Sequence, residues 1–395
     1  MANSRVGFKG QADEGHVSQL LLDLVAIESI NPYLEGATVG ERRVAQYVEQ
    51  WARQRRLAVQ RSNVAEGRFS VLIELPGQDQ TKRLLLESHM DTVPVAGMSI
   101  HPFQNEIKDG KIWGRGACDT KGSLAGMMAA LDLLLKFGLV PPVTVLLAAT
   151  VGEERGHDGI RSLLRNGLRA DAGVVGEPTE LKVIRCHKGN VRWNIIAHGV
   201  AAHASDPSQG VNAIYRMSEL IARLERRYVP TLASKAHPIL GKATFNVGKI
   251  SGGLQANIVP DQCLIEVERR LLPGDSLEEI FQAIQSILRQ VQNEYDDCRL
   301  EMHPPAFLEY PLSTPAEASI VHCAAEACRR VAGASEVTGV PFGTDASDLA
   351  EFNIPAVVLG PGRISQAHTA DENIEIAQLV RAAEIYAEIC ANFPA

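Results

Sequence analysis

His89 closes the apolar run Leu84-Leu85-Leu86-Glu87-Ser88, and Asp91 follows two residues on. Gly114-Arg115-Gly116-Ala117-Cys118-Asp119-Thr120-Lys121-Gly122 then delivers a second aspartate between glycines. Imidazole nitrogen and carboxylate oxygen are ligands of zinc-type cations, and loops at strand ends can aim them into one cleft. Later come two adjacent carboxylates, Glu153-Glu154, then Gly176-Glu177-Pro178-Thr179, and the loop 360–372 that contains His368. Any one of the eleven histidines alone is more often an ordinary polar residue than a ligand, and an exposed acid pair is by default a solvated loop. As a group they fit a charge count that these ordinary readings do not explain. Two divalent cations carry four positive charges; Asp119, Glu154 and Glu177 return three negative ones, and a bridging hydroxide supplies the fourth. Glu153 is then spare, a carboxylate placed to take a proton from water and pass it to a leaving amine. Asp91 stands where it can accept the second ring N–H of His89. This is the chemistry of paired-metal hydrolysis.

Such groups need a rigid frame, and the pattern around them predicts one. Residues 17–29 and 42–56 carry apolar positions at helical spacing, with Val44, Val48 and Trp51 in the second. The runs 70–75 and 83–88 are short, apolar and bounded by Gly, Pro or charge, as strands buried on both faces are; the second leads into His89. Asp109-Gly110 within 105–113 marks a hairpin, because its turn needs positive φ angles. A helix is predicted over 123–137, stopped at Gly138 with Pro141-Pro142 behind it. Strand 143–150 ends before Glu153-Glu154, and after a helix at 160–166 the strand 172–175 ends before Glu177. This alternation predicts an α/β fold with a mainly parallel sheet and helices on both faces, whose ligands gather beyond the carboxyl ends of the strands. From 183 the texture changes: Val191, Trp193 and Ile195 alternate with polar residues, strands follow at 243–250 and 263–271, and helices at 212–227 and 277–295. That predicts an inserted smaller α+β domain with an antiparallel sheet at 183–302. A helix at 317–331, a strand at 356–359 and a closing helix at 373–392 return to the first texture, so the catalytic domain takes 1–182 and 303–395.

At 395 residues the chain is long enough for two cores. A formal charge of -8 gives no basic face for nucleic acid or an anionic membrane, which leaves small-molecule partners. The start, 1–15, lacks the apolar core of a signal peptide, and no run reaches the length of a membrane span. Seven cysteines at irregular spacing fit a reduced compartment, so a cytoplasmic location is expected. Cys118 reads as a small buried residue in a tight loop. No Gly-x-Ser-x-Gly elbow, His-Glu-x-x-His helix or Walker loop is present.

The motifs Ser88-His89-Met90-Asp91-Thr92-Val93-Pro94, Gly114 to Gly122, Glu153-Glu154, Gly176-Glu177-Pro178-Thr179 and His368-Thr369 stand in one order over most of the chain. In this the sequence resembles the zinc-dependent amidohydrolase family that contains acetylornithine deacetylase, succinyl-diaminopimelate desuccinylase, aminoacylase and bacterial glutamate carboxypeptidase. The resemblance implies that His89 and Glu177 hold one metal, Glu154 and His368 the other, and that Asp119 bridges both. It makes Glu153 the general base and later acid, and expects a cis peptide at Asp119–Thr120. Glu rather than Asp at 177 is similar to the deacylase and carboxypeptidase branches. His203, in Gly199-Val200-Ala201-Ala202-His203-Ala204-Ser205, resembles a histidine that stabilises the oxyanion, often in the partner subunit's site. Asn257, within 252–260, and Arg270, within 269–274, fall in segments similar to the family's substrate contacts. Arg270 is the candidate grip on a substrate α-carboxylate, while Arg269 alternates to the other sheet face, toward the surface. Gly343-Thr344-Asp345 is expected to line the pocket. The implied cofactors are two divalent ions, zinc before cobalt or manganese. The implied substrate is an N-acyl amino acid, as for acetylornithine deacetylase, with succinyl-diaminopimelate or a short peptide as alternatives. A homodimer through 183–302 is expected as well. A peptide- or metal-binding protein on the same fold is the non-enzyme reading, and loss of Glu153 or of a ligand would be its mark.

Overall fold

The computed structural model describes residues 7–104, 106–295 and 297–394. The start of the polar N-terminal stretch and residue 105 of the hairpin reading lie outside them. The chain divides into two compact units, one of Met1–Arg185, Ser313–Gly339 and Thr344–Ala395, the other of Cys186–Leu312 and Val340–Gly343.

The first unit is built on a sheet whose strands follow the order Ala58–Ala65, Arg68–Leu75, Val143–Thr150, Asp79–His89, Ala172–Val175, Ala356–Val358 and Val183–His187. The middle four are mutually parallel, and the flanking strands join antiparallel. Leu84, Leu85 and Leu86 are consecutive and all fully buried, which only a strand covered on both faces allows. Helices Lys121–Lys136 and Ile376–Asn392 pack together where Gly126 admits the ring of Tyr386; a Cβ there would stand 3.2 Å from that ring. Glu14–Val25 joins both, and Arg42–Gln54 lies on Arg68–Leu75. Parallel register has a direct consequence for chemistry. His89 is level with Thr150, Glu87 with Val175, and Val175 with Val358, so the loops that follow these strands leave the sheet at one end.

Several boundaries differ from the sequence reading. The first helix stops at Val25 instead of 29. Asn373–Glu375 is a short strand paired with Lys111–Trp113, so the closing helix begins at Ile376. Ala58–Ala65 is an additional edge strand, largely exposed and without the apolar alternation that would mark it. The Asp109-Gly110 turn does join two strands, Glu106–Lys108 and Lys111–Trp113, with φ of 53° and 71°.

In the second unit Thr244–Gly252, Gln262–Leu271, Gly189–His198 and Arg299–Met302 form an antiparallel sheet in that order, and Phe307–Glu309 also pairs with Gly189–His198. The alternate residues Val191, Trp193, Ile195 and Ala197 are buried with Met217 and Leu220 of helix Ala213–Arg223 and Ile284 and Leu288 of helix Leu277–Glu294. Because Phe307–Glu309 adds to this sheet, the unit extends to Leu312, ten residues past the boundary read at 302. The helix read over 212–227 is α-helical to Arg223 and closes in a π turn, Leu224–Tyr228. Among the described residues no helix is long and apolar enough to cross a membrane.

Candidate metal centre

At the carboxyl end of the parallel strands, His89 Nε2 lies 3.2 Å from Asp119 Oδ1 and 3.6 Å from Glu177 Oε1. The other oxygen of the same aspartate, Asp119 Oδ2, is 3.2 Å from His368 Nε2, which in turn is 3.1 Å from Glu154 Oε1. Two ligand groups therefore share one carboxylate: His89, Asp119 and Glu177 on one side, Asp119, Glu154 and His368 on the other, the ligand atoms of each within 4.8 Å of one another. All five residues sit on loops or strand ends of the first unit. A Cβ at Gly176 would meet Ser123 at 2.5 Å; glycine lets this strand end pass the start of the long helix and present Glu177.

The ring geometry tests whether these donors suit a cation. His89 Nδ1 is 3.0 Å from the carbonyl oxygen of Asp91, which can only accept, so Nδ1 carries the proton and donates. In a neutral ring Nε2 is then a lone pair facing two carboxylates, an arrangement that needs a positive centre between them. The Asp91 carboxylate, expected to accept this N–H, stands beside it with Oδ1 3.6 Å from Nδ1. That carboxylate is occupied elsewhere. Asp91 Oδ1 accepts the amides of Gly152 at 2.8 Å and Glu153 at 3.1 Å, and Oδ2 accepts the Glu154 amide at 3.0 Å and the Asn31 side chain at 2.8 Å. It fixes the loop that carries both glutamates. Glu153 Oε2 comes to 3.9 Å from His89 Nε2, beside the ligand groups but outside both.

Glu372 has no role in the sequence reading, yet it is fully buried and holds the loop of Asp119. Its Oε1 accepts the amides of Cys118 at 2.9 Å and Asp119 at 3.0 Å, and its Oε2 accepts the Gly116 amide and the Arg115 guanidinium. A run of loop amides with no strand partner requires such an acceptor, but that requirement does not say which residue supplies it. Cys118 is buried as read, and the Asp119–Thr120 peptide is cis.

Burial raises Glu153, Glu154 and Glu177 above the usual carboxylate range, and neighbouring acids reinforce it; Glu154 rises to about 7. Hydrogen bonds to Asp119 and Glu154 lift His368 to about 10. Burial pulls His89 down, but Asp119 and the other carboxylates more than offset it and carry the ring well above its ordinary value. Burial pushes Asp119 up, while His368 and His89 hold it below its usual range. Acids this concentrated are balanced by retained protons, which divalent cations displace on binding.

The second-unit candidates form their own set. His203 pairs with Ile258 in an isolated bridge and the Ala204 amide donates to Asn257 O, so the His203 and Asn257 segments lie side by side. His203 is exposed, its Nδ1 2.7 Å from Ser205 Oγ. Arg270 is 29% exposed and donates to Glu268 at 2.9 Å. Arg269, read as a surface residue, is 1% exposed: Asp275 at 3.0 Å and the Tyr228 hydroxyl at 3.3 Å satisfy it inside the fold. Gly343 lies against Glu309, where a Cβ would clash with that carboxylate. Thr344, back in the first unit, is fully buried and its hydroxyl accepts the Ala346 amide at 3.2 Å.

A family model described as peptidase family M20/M25/M40 matches residues 85–392, the stretch that contains all five ligand candidates. The chain belongs to this family. M20 proteins are metal-dependent hydrolases, in keeping with the paired ligand groups. The chain is 33% identical over 314 residues to an acetylornithine deacetylase of Myxococcus xanthus, covering 78% of this chain and 80% of the relative. It is also 33% identical over 336 residues to an acetylornithine deacetylase of Proteus mirabilis, covering 83% of each. Among solved structures, the aminopeptidase PepT of Bacillus cereus aligns with a TM-score of 0.80 at 24% identity, over 97% of this chain and 99% of that one. That likeness supports the M20 fold.

Proposed function

We propose that the chain is a two-cation amidohydrolase that cleaves the acyl group from an N-acyl amino acid, with N-acetylornithine as the leading substrate. The observation that carries the reading is Asp119, whose two oxygens each stand 3.2 Å from a different histidine and so join two ligand groups into one centre. The substrate class is supported by the acetylornithine deacetylases to which the chain is 33% identical.

His89, Asp119 and Glu177 would hold one divalent ion and Asp119, Glu154 and His368 the other. Zinc suits these nitrogen and oxygen donors, and cobalt and manganese are also accepted by them. Bound ions supply Lewis acidity toward the attacking water and the acyl carbonyl. Glu153 accepts the proton of that water and returns it to the departing amine nitrogen. In the metal-free chain its burial among acids raises its affinity for a proton. Asp91 keeps Glu153 and Glu154 in register with each other by holding three successive amides. His203 supplies a donor to the oxyanion and Arg270 a guanidinium to the α-carboxylate, with Asn257, Gly343 and Thr344 shaping the substrate site. A homodimer through 183–302 and a cytoplasmic location belong to the same reading.

Turnover of N-acetylornithine, N-succinyl-diaminopimelate and a dipeptide panel by the zinc-, cobalt- or manganese-loaded chain tests this. Hydrolysis of the first is expected to dominate. Turnover of another amide alone replaces the substrate, and no hydrolysis by the loaded chain turns the reading into that of a binding protein.

A further inference from the structure

A third histidine–carboxylate group in the first unit lies outside the two ligand groups. His157 Nδ1 is 3.0 Å from Asp345 Oδ1 and 2.6 Å from Asp348 Oδ2, and all three residues are buried. Arg161 Nε donates to Asp348 Oδ1 at 2.5 Å. The donor types resemble those of a metal site, but one of the carboxylates is already taken by a fixed cation, the Arg161 guanidinium on Asp348. The purpose of the group follows from where His157 stands.

His157 ends the loop 151–157, whose first half carries Glu153 and Glu154. At the front, Asp91 accepts the amides of Gly152, Glu153 and Glu154. At the back, the His157 amide donates to Gly152 O at 2.7 Å and closes the loop on itself. Arg161 Nη1 donates to Gly156 O at 3.1 Å, and the Gly159 amide to Val151 O at 2.8 Å. His157 has a left-handed φ of 56°, a conformation that a non-glycine residue keeps only where its surroundings impose it. Those surroundings include Asp348, whose Oδ2 meets the ring at 2.6 Å from 191 residues along the chain, and Asp345, whose Oδ1 stands 3.0 Å from the same nitrogen.

We propose that His157, clamped by Asp348 with the Asp345 carboxylate beside it, is a positioning residue that locks the loop presenting Glu153 and Glu154. The proposal rests on the reading of Glu154 as a ligand and Glu153 as the base. Releasing the clamp then weakens the cation shared by Asp119, Glu154 and His368, spares the one shared by His89, Asp119 and Glu177, and lowers kcat more than it changes KM.

The test is zinc titration of the metal-free chain by calorimetry, with steady-state hydrolysis of N-acetylornithine, for the unsubstituted protein, His157→Gly and His157→Asn. Glycine adopts the left-handed φ freely but offers no donor; asparagine tolerates that φ and places an amide N–H where Nδ1 stood. The unsubstituted chain is expected to bind two zinc ions. His157→Asn should keep both within a few-fold, while His157→Gly weakens one of them by about 10- to 100-fold and loses kcat to a similar degree. Equal behaviour of the two variants overturns the proposal, because the backbone alone would then hold the loop. A third zinc ion, lost in His157→Gly, overturns it too and makes the cluster a metal site. If His157→Gly fails to fold, Asp348→Asn is expected to show the same one-sided loss, and full retention of both ions there overturns the clamp. Failure of the unsubstituted chain to bind a zinc pair or to hydrolyse the amide defeats the functional reading itself, and the proposal with it.

Discussion

The division of labour between Glu153 and Glu154 is decided by ångströms, since the two are adjacent and identical in type. Glu154 Oε1 reaches His368 and belongs to a ligand group, whereas Glu153 stays 3.9 Å from His89 and belongs to neither. Replacing Glu153 with Gln keeps its size and removes its basicity. Glu153→Gln is expected to bind two zinc ions as tightly as the parent while kcat falls by about 100- to 10,000-fold, the usual contribution of a positioned base. Calorimetry and turnover on one preparation check it; loss of an ion would make Glu153 a ligand, and near-parental turnover would remove it as the base. Asp91 and Glu372 act at the same scale through the backbone, each accepting consecutive loop amides so that a neighbouring carboxylate cannot drift.

Strand Asp79–His89 lies between Val143–Thr150 and Ala172–Val175 and sets where His89 ends up. Leu86, fully buried and level with Leu147 and Val174, is part of that frame. Leu86→Ala is expected to destabilise the first unit by about 2–5 kcal/mol through lost burial and the cavity left behind. Chemical denaturation followed by circular dichroism measures this, and an unchanged transition would show that the strand does not depend on that side chain. His89, Glu154, Glu177 and His368 were legible because they come after buried apolar runs whose parallel strands deliver their loops to one end, and Asp119 because it sits in a loop between glycines. Glu372 was not legible: its partners are backbone amides more than 250 residues earlier, and side-chain type says nothing about them. Arg269 misled for a related reason. Alternation sent it away from Arg270 and toward the surface, but the turn after the strand brings Asp275 back to pair with it inside. Ala58–Ala65 escaped notice because an exposed edge strand carries no apolar alternation.

For the whole molecule, the first unit concentrates acids that only protons or cations can balance, which ties stability to pH and metal together. In the metal-free chain Glu154 is raised from 4.5 to about 7 and His368 from 6.5 to about 10. In both cases the folded chain keeps a proton that the unfolded chain has released, so each contribution is lost as pH rises, through the folded value. The chelated protein is therefore expected to melt at a progressively lower temperature from about pH 5 to about pH 9, and zinc to flatten that decline. A melting temperature that rises with pH after chelation would contradict this balance. The two-unit architecture with an antiparallel second sheet was legible from the change of texture near 183. Its end was not, since Phe307–Glu309 is too short to register as a strand until it pairs.

The central claim is that five residues hold two cations with one carboxylate between them. Anomalous scattering from a crystal of the zinc-loaded chain, collected on both sides of the zinc edge, tests it most directly. Two peaks are expected, one among His89, Asp119 and Glu177 and one among Asp119, Glu154 and His368, with Asp119 an oxygen ligand to each. A single peak, or a pair that Asp119 does not join, would contradict it.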